Sequence, residues 1–224
     1  MIESLSDILI ITDVDGTLLR EKDGISEENL EAIKRFIGKG GHFTVSTGRA
    51  IDVAKPLLER IPINTPSVHI NGGYFYDWEK DQLIEPNYIS KYARFAVKKI
   101  KEKFDCCDCH FASTDSVNLL TSGKYLKKYI PEREFHFFNG DFEDIPENVY
   151  KYIVCCDPEN MEEIRKFANS VFEKTSKLFS PARFFLKSSL RKTPRENRLK
   201  DFAKWLEFRL KIPLRLAIMK TIPI

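Results

Sequence analysis

Asp13 and Asp15 stand one residue apart in the segment ILIITDVDGTLL, residues 8–19, and the residues before them decide where they sit. Ile8 to Ile11 form an unbroken apolar run closed by Thr12, and a run without alternation suits a strand buried on both faces. The two carboxylates then stand at the carboxyl end of a buried strand, where ligands collect in open α/β sheets. Gly16 lets the chain turn away, and Thr17 can hydrogen-bond the loop so formed. Two carboxylates in an apolar mouth repel each other unless a cation or a shared proton lies between them. A hard cation with oxygen ligands meets that need, Mg²⁺ being the usual one beside phosphate. With the charge offset, one carboxylate can attack phosphorus while a second acid protonates the leaving alkoxide.

A calcium loop of the EF-hand kind also begins D-x-D, but it requires Gly at its sixth position and Glu at its twelfth. Leu18 and Gly24 occupy those places, and the preceding segment reads as a strand where that loop needs a helix. An acidic surface turn is the plainer alternative. A second feature lies about thirty residues on, in HFTVSTGRA, residues 42–50. There Thr47, Gly48 and Arg49 fall at a strand-to-helix turn, where a hydroxyl and backbone N–H groups form an anion nest. The third is HINGG, residues 69–73, a glycine turn in which Asn71 suits a left-handed conformation.

The string D-x-D-G-T-L-L at residues 13–19 resembles the first motif of the haloacid dehalogenase superfamily of Mg²⁺-dependent phosphohydrolases. That resemblance implies that Asp13 is nucleophile and metal ligand, and that Asp15 is general acid and base and binds the metal through its backbone carbonyl. S-T-G-R at 46–49 is similar to the phosphate-binding second motif of the Cof-type branch, subfamily IIB, usually A-T-G-R, with Ser46 in place of Ala. In that branch a strand ending in N-G-G leads through a hairpin to a cap, and Asn71 looks like a substrate contact. The motifs carry the resemblance over residues 7–76; beyond them it is architectural.

The elements that position these residues read as a doubly wound α/β unit. Ser26 has the character of an N-cap, Glu27 and Glu28 are acidic first-turn residues, and Leu30, Ile33 and Ile37 recur at helical spacing. Gly38, Gly40 and Gly41 stop that helix; His42 to Val45 reads as a strand and Ala50 to Arg60 as a helix ended before Pro62. Ser67 to Ile70 reads as a strand entering an aromatic hairpin. Tyr88 to Phe104 is an amphipathic helix with Ile89, Tyr92, Phe95, Ala96, Ile100 and Phe104 on one stripe. Strands are then expected around Cys109–Ala112, Ser116–Leu120, Phe135–Phe138 and Tyr150–Cys155, with helices near Lys124–Ile130 and Pro158–Phe172. The expected architecture is a parallel-sheet core, residues 1–83 and 187–224, with an α+β cap inserted at residues 84–186.

After the cap the resemblance requires a Lys that holds the phosphate, then G-D-x-x-N-D, whose acids complete the Mg²⁺ site. Residues 187–224 contain neither motif, and no acidic residue follows Glu207. This segment holds eleven Lys and Arg against three Asp and Glu, whereas the preceding 186 residues hold 25 against 30, so an acidic body ends in a basic tail. Codon degeneracy offers a cause. Read one base earlier, Ala217 to Ile222 permits Gly-Asp-Asn-Glu-Asn-Asp, the missing metal motif. In the same frame Lys192 to Leu199 permits Lys-Asn-Ala-Lys-Gly-Lys-Ser-Leu, and Phe208 to Ala217 permits Ile-Pro-Leu-Glu-Asp-Thr-Ile-Ala-Val-Gly. A frameshift between about Phe185 and Lys192 is therefore expected. The rival reading of the tail is an arm for nucleic acid or an anionic membrane, using Arg191, Lys192, Arg195, Arg198 and Lys200 with Phe202, Trp205 and Phe208. A helix packed on the sheet is the third.

The odd count of five cysteines argues against a disulfide framework. Buried strand thiols are expected, against a zinc site from Cys106, Cys109, His110 and the later pair, for which neither C-x-x-C spacing nor a matching second half is expected. His110 and His136 read as ordinary strand residues. No apolar run approaches the roughly 20 residues that cross a bilayer, and the amino terminus lacks the apolar stretch of a secretory signal, so a cytoplasmic address is expected. The function implied is a Mg²⁺-dependent phosphatase for small phosphomonoesters, sugar phosphates or phosphorylated cofactors, impaired by the altered tail, with no nucleic-acid or membrane partner. The alternative is a non-catalytic binder of a phosphorylated ligand.

Overall fold

The computed structural model describes residues 5–19, 24–89, 91–113, 117–121, 123–125, 127, 136–172, 178–182, 185–188, 195–211, 213 and 215–219. The chain forms two compact units, Met1–Pro86 with Thr193–Ile224, and Asn87–Lys192. The first begins with β1 (Ile8–Asp13), α1 (Glu27–Gly38) and β2 (His42–Ser46). β1 and β2 run parallel, with Leu9 opposite His42 and Asp13 opposite Ser46. The Ser26 hydroxyl accepts the Asn29 N–H at 3.3 Å, capping α1 and satisfying one of its orphan donors. Ser26→Ala is expected to cost about 1 kcal/mol of unfolding free energy, read as a lower urea midpoint at unchanged slope.

α2 (Ile51–Leu58) is shorter than the helix expected over residues 50–60 and runs through Pro56. After Leu58 the chain closes a turn, Ile61 N–H to the Leu58 carbonyl at 2.9 Å, that tucks Ile61 into the core. Its first residue finds a cap that spacing alone did not suggest: Ala50 offers no side-chain acceptor, and the Tyr74 hydroxyl accepts the Ile51 N–H at 2.8 Å. β3 (Ser67–His69), β4 (Tyr74–Asp77) and β5 (Gln82–Ile84) extend the sheet, the last two antiparallel.

The second unit contains α3 (Lys91–Lys103), β6 (Cys107–Ala112), β7 (Val117–Leu119), β8 (His136–Phe137), β9 (Lys151–Cys156), α4 (Met161–Phe172), β10 (Leu178–Ala182) and β11 (Phe185–Ser188). Its sheet runs β10-β11-β9-β6-β7-β8. Ala93, Ala96, Val97 and Ile100 of α3 pack with Ile164 and Ala168 of α4 over Cys107, Cys109, Phe111 and Val154. Phe95, expected on that stripe, is 55% exposed. At about 100° per residue it stands about 200° around from Ala93, on the far face. The helix expected near Lys124–Ile130 falls largely outside the described residues.

None of the five cysteines is in a disulfide, and four of them are buried in β6 and β9. Cys106 and Cys109 do have C-x-x-C spacing, yet among the described residues no group of three or more His, Cys, Asp or Glu could hold a metal. Burial pushes the Cys155 and Cys156 thiols up to about 12. His110 is buried within β6 and His136 lies exposed in β8.

The chain then returns to the first unit as α5 (Arg195–Leu210) and β12 (Arg215–Met219), and β12 pairs in parallel with β1 to give the order β12-β1-β2-β3-β4-β5. Side chains alternate across β1, so its two faces feed two cores. Leu30 and Ile33 of α1 and Ala54 and Leu58 of α2 pack with Val14, Phe43 and Val45 on one. Leu199, Phe202, Ala203 and Leu206 of α5 pack with Leu9, Ile11, Val68 and Phe75 on the other. Helices on both faces of a largely parallel sheet make this an α/β fold. The tail thus forms a helix packed on the sheet. Phe202 lies 4.8 Å from Phe75 ring to ring, and Arg209 pairs with buried Asp77 at 3.4 Å. Phe202 and Trp205 are engaged with Phe75; Phe208 is 86% exposed.

Candidate active site

β1 delivers Asp13 to the carboxyl edge of the sheet, and the loop after it is built to present Asp15. Leu18 N–H bonds the Asp13 carbonyl at 3.3 Å and Leu19 N–H the Val14 carbonyl at 2.9 Å. Buried Val14 and Leu18 anchor that turn, so Asp15 between them stands exposed. Gly16 closes it at φ 71, a conformation that costs a residue with a Cβ about 1–2 kcal/mol. The Asp13 carboxylate accepts its neighbour's amide, Val14 N–H to Oδ1 at 3.0 Å, which orients the side chain.

Because Asp13 pairs with Ser46, the turn after β2 begins beside it. Thr47 is fully buried, and its hydroxyl accepts the Arg49 N–H at 3.2 Å. Its hydroxyl therefore shapes the turn from within. Arg49 reaches back across 34 residues of sequence to Asp15: Nη2 lies 3.0 Å from Oδ1 and Nε 3.1 Å from Oδ2. This two-point contact fixes the guanidinium plane against the carboxylate.

The third segment is sewn to the second. Thr47 N–H bonds the Val68 carbonyl at 2.8 Å, Asn71 N–H the Thr47 carbonyl at 2.9 Å and Ile70 N–H the Arg49 carbonyl at 3.2 Å. Ile70 and Asn71 adopt φ 47 and 55. The left-handed region suits Asn but strains a β-branched residue such as Ile70. The hydrogen bonds to the 47–49 turn, and the full burial of the Ile70 side chain, offset that strain. The Asn71 amide lies against Gly48, where a Cβ would come within 3.2 Å of Oδ1. Asp13, Asp15, Thr47, Gly48, Arg49 and Asn71 are thus gathered at the carboxyl ends of β1, β2 and β3 by sheet pairing and loop hydrogen bonds. His69 and Tyr74 border the same turn; the segment HINGGYFYD carried no spacing signal for them.

The model of the haloacid dehalogenase-like hydrolase family matches residues 10–210. The chain belongs to that family. In this haloacid dehalogenase-like hydrolase the match runs from β1 to the end of α5. A Bacillus subtilis relative, 5-amino-6-(5-phospho-D-ribitylamino)uracil phosphatase YcsE, is 36% identical over 140 residues, 61% of this chain and 52% of the relative. The chain spans between 23% and 61% of the length of the relatives first matched. Among solved structures, a haloacid dehalogenase-like hydrolase from Bacteroides thetaiotaomicron superposes with TM-score 0.76 at 18% identity, covering 93% of this chain and 80% of its own. A HAD subclass IIB sugar phosphatase, BT4131, gives 0.73 at 18% identity, covering 95% and 79%. These likenesses carry the fold of this hydrolase family, with its Cof-type neighbours. Among the described residues no helix is long and apolar enough to cross a membrane.

Proposed function

We propose that this chain binds small phosphomonoesters at the carboxyl ends of β1 to β3 and hydrolyses them through an aspartyl-phosphate on Asp13, slowly for want of the Lys and G-D-x-x-N-D motifs. The observation that carries the reading is the Asp15–Arg49 contact at 3.0 Å beside Asp13, in a chain of a hydrolase family. An anion-binding guanidinium in the turn that follows Ser46, the residue paired with Asp13, supports a phosphoryl site there. A phosphate dianion competes with Asp15 for Arg49, since guanidinium recognises either anion by the same fork of donors. Binding substrate therefore exchanges one anion for another and releases Asp15. Once released, Asp15 takes up a proton from solvent. Asp13 Oδ attacks phosphorus, the P–O ester bond breaks, and Asp15 gives that proton to the leaving alkoxide; the proton it recovers in the second step returns to solvent when it pairs again with Arg49. Water attacks the aspartyl-phosphate, Asp15 takes the proton, and inorganic phosphate leaves with Asp13 restored.

The fit to Mg²⁺ is partial. Among the described residues two carboxylates are available and no third His, Cys, Asp or Glu joins them in a group that could hold a metal. That suits the way Mg²⁺ binds through one or two carboxylates with water and substrate phosphate completing its shell, and it does not suit a preformed cage. The Asp13 carboxylate and the Asp15 carbonyl would hold the ion, which would offset charge between the carboxylate and the phosphoryl oxygens. Sugar phosphates and phosphorylated cofactors are the substrate class, and a cytoplasmic address fits both the reduced cysteines and such substrates.

The test is phosphate release from a panel of phosphate esters. Expected is slow release with Mg²⁺ that stops when EDTA removes the ion and resumes when it is restored. Ester binding with no release over many hours overturns the catalytic reading in favour of a phosphate-ligand binding protein, the second reading that the motif-less tail favours.

A further inference from the structure

We infer that His69 is a positioning residue for the anion-binding turn: its Nδ1–H holds the Arg49 carbonyl, and Ser67 and Trp78 behind it fix which ring nitrogen carries the proton. This rests on the proposal that the 47–49 turn binds a phosphoryl group. His69 is fully buried at the end of β3, and nothing in the hydrolytic steps above uses it. Its Nδ1 lies 3.3 Å from the Arg49 carbonyl oxygen, and its Nε2 lies 2.7 Å from Ser67 Oγ. Ser67 Oγ also receives the Trp78 indole N–H at 2.8 Å.

The direction of the chain follows from donor inventory. An indole nitrogen only donates and a carbonyl only accepts. Trp78 therefore donates to Ser67, the Ser67 hydroxyl donates its own proton to His69 Nε2, and Nδ1–H donates to Arg49. The other neutral tautomer would set a bare Nδ1 lone pair against a carbonyl oxygen. Burial, the larger influence, holds the ring pKa down to about 4, so the neutral form prevails near pH 7. The ring is also held in place by Tyr74, stacked at 5.5 Å between centroids and 15° between planes. Tyr74 is the residue whose hydroxyl caps Ile51 at the start of α2.

The consequence reaches the site through one peptide plane. In a trans peptide the carbonyl of Arg49 and the N–H of Ala50 point in opposite directions. The Ile70 N–H at 3.2 Å and His69 Nδ1–H at 3.3 Å hold the carbonyl together, and this turns the Ala50 N–H away from them, at the head of the eight-residue helix α2. The same anchor fixes the backbone from which the Arg49 side chain departs toward Asp15. His69 thus adds the second, side-chain anchor to the turn, beside the Ile70 backbone N–H, without touching the ligand.

The experiment measures inorganic phosphate affinity by calorimetry in the full chain, which does not depend on turnover. His69→Phe keeps the ring volume and the stack on Tyr74 but cannot donate; it is expected to weaken phosphate binding about tenfold. His69→Asn, whose amide nitrogen falls near the Nδ1 position, is expected to stay within about threefold of the parent, and this rescue separates donation from bulk. Ser67→Ala, a small change that leaves His69 in place, is expected to shift the imidazole nitrogen resonances away from a single Nδ1–H tautomer. Should the parent bind phosphate, Arg49→Ala lose it and His69→Phe keep it, the positioning role is overturned while the phosphate site stands. Should the parent bind no phosphate, both fall together.

Discussion

Asp13→Asn is expected to abolish phosphate release from p-nitrophenyl phosphate, lowering the rate on the order of 10⁴-fold or more. An amide oxygen is no nucleophile toward phosphorus, and the neutral side chain no longer attracts a cation. The substitution is nearly isosteric, and its oxygen can still accept the Val14 N–H that orients the native side chain. The thermal midpoint is therefore expected to stay within a few degrees, which separates lost chemistry from lost structure. A rate equal to the parent's would place the nucleophile elsewhere and end the aspartyl-phosphate reading.

The second large effect concerns the tail. β12 runs parallel to β1 with Ile218 opposite Ile11 and Met219 opposite Thr12, so the first shifted-frame acid, at position 218, enters beside the end of β1, and the others follow it in sequence at 220 and 222. A chain rebuilt in the earlier frame from about Phe185 onward is expected to release phosphate at least about 10²-fold faster than the parent, the scale of one well-aimed electrostatic group at a developing charge. It is also expected to saturate at lower Mg²⁺, because added carboxylates raise affinity for a hard cation. Equal rates and equal Mg²⁺ dependence would show that the missing motifs carry nothing, and continuous coding for the present tail in related genes would reject the frameshift. The packing of α5 bears on what such a rebuild must preserve. Phe202 and Leu206 cover the Phe75 face of the sheet, and any replacement sequence has to bury an equivalent apolar stripe there.

The elements around the first motif were legible because they depend on local pattern. An unbroken Ile-Leu-Ile-Ile run, a Ser cap followed by acids, and a glycine stop are properties of neighbouring residues, and β1, α1 and β2 lie where those signals fall. Helix ends and facing were less legible. Phe95 is apolar and sits in an apolar-looking stripe, yet a difference of about 200° around the axis decides that it faces out, and only the sheet it packs against picks the buried side. Pro56 within α2 and the Tyr74 cap at its start show the same limit, since tertiary contacts override intrinsic preference.

By itself the sequence determined the α/β class, the strand that carries Asp13 and the candidates Asp15, Thr47, Gly48, Arg49 and Asn71, because each is written in residues adjacent along the chain. Only the tertiary structure decided that Arg49 holds Asp15, that His69 anchors the turn, and that the basic tail folds onto the sheet. Those are relations between residues 20, 34 or more than 100 positions apart. Spacing along a chain has no term for them; strand order, which brings β1, β2, β3 and β12 side by side, supplies it.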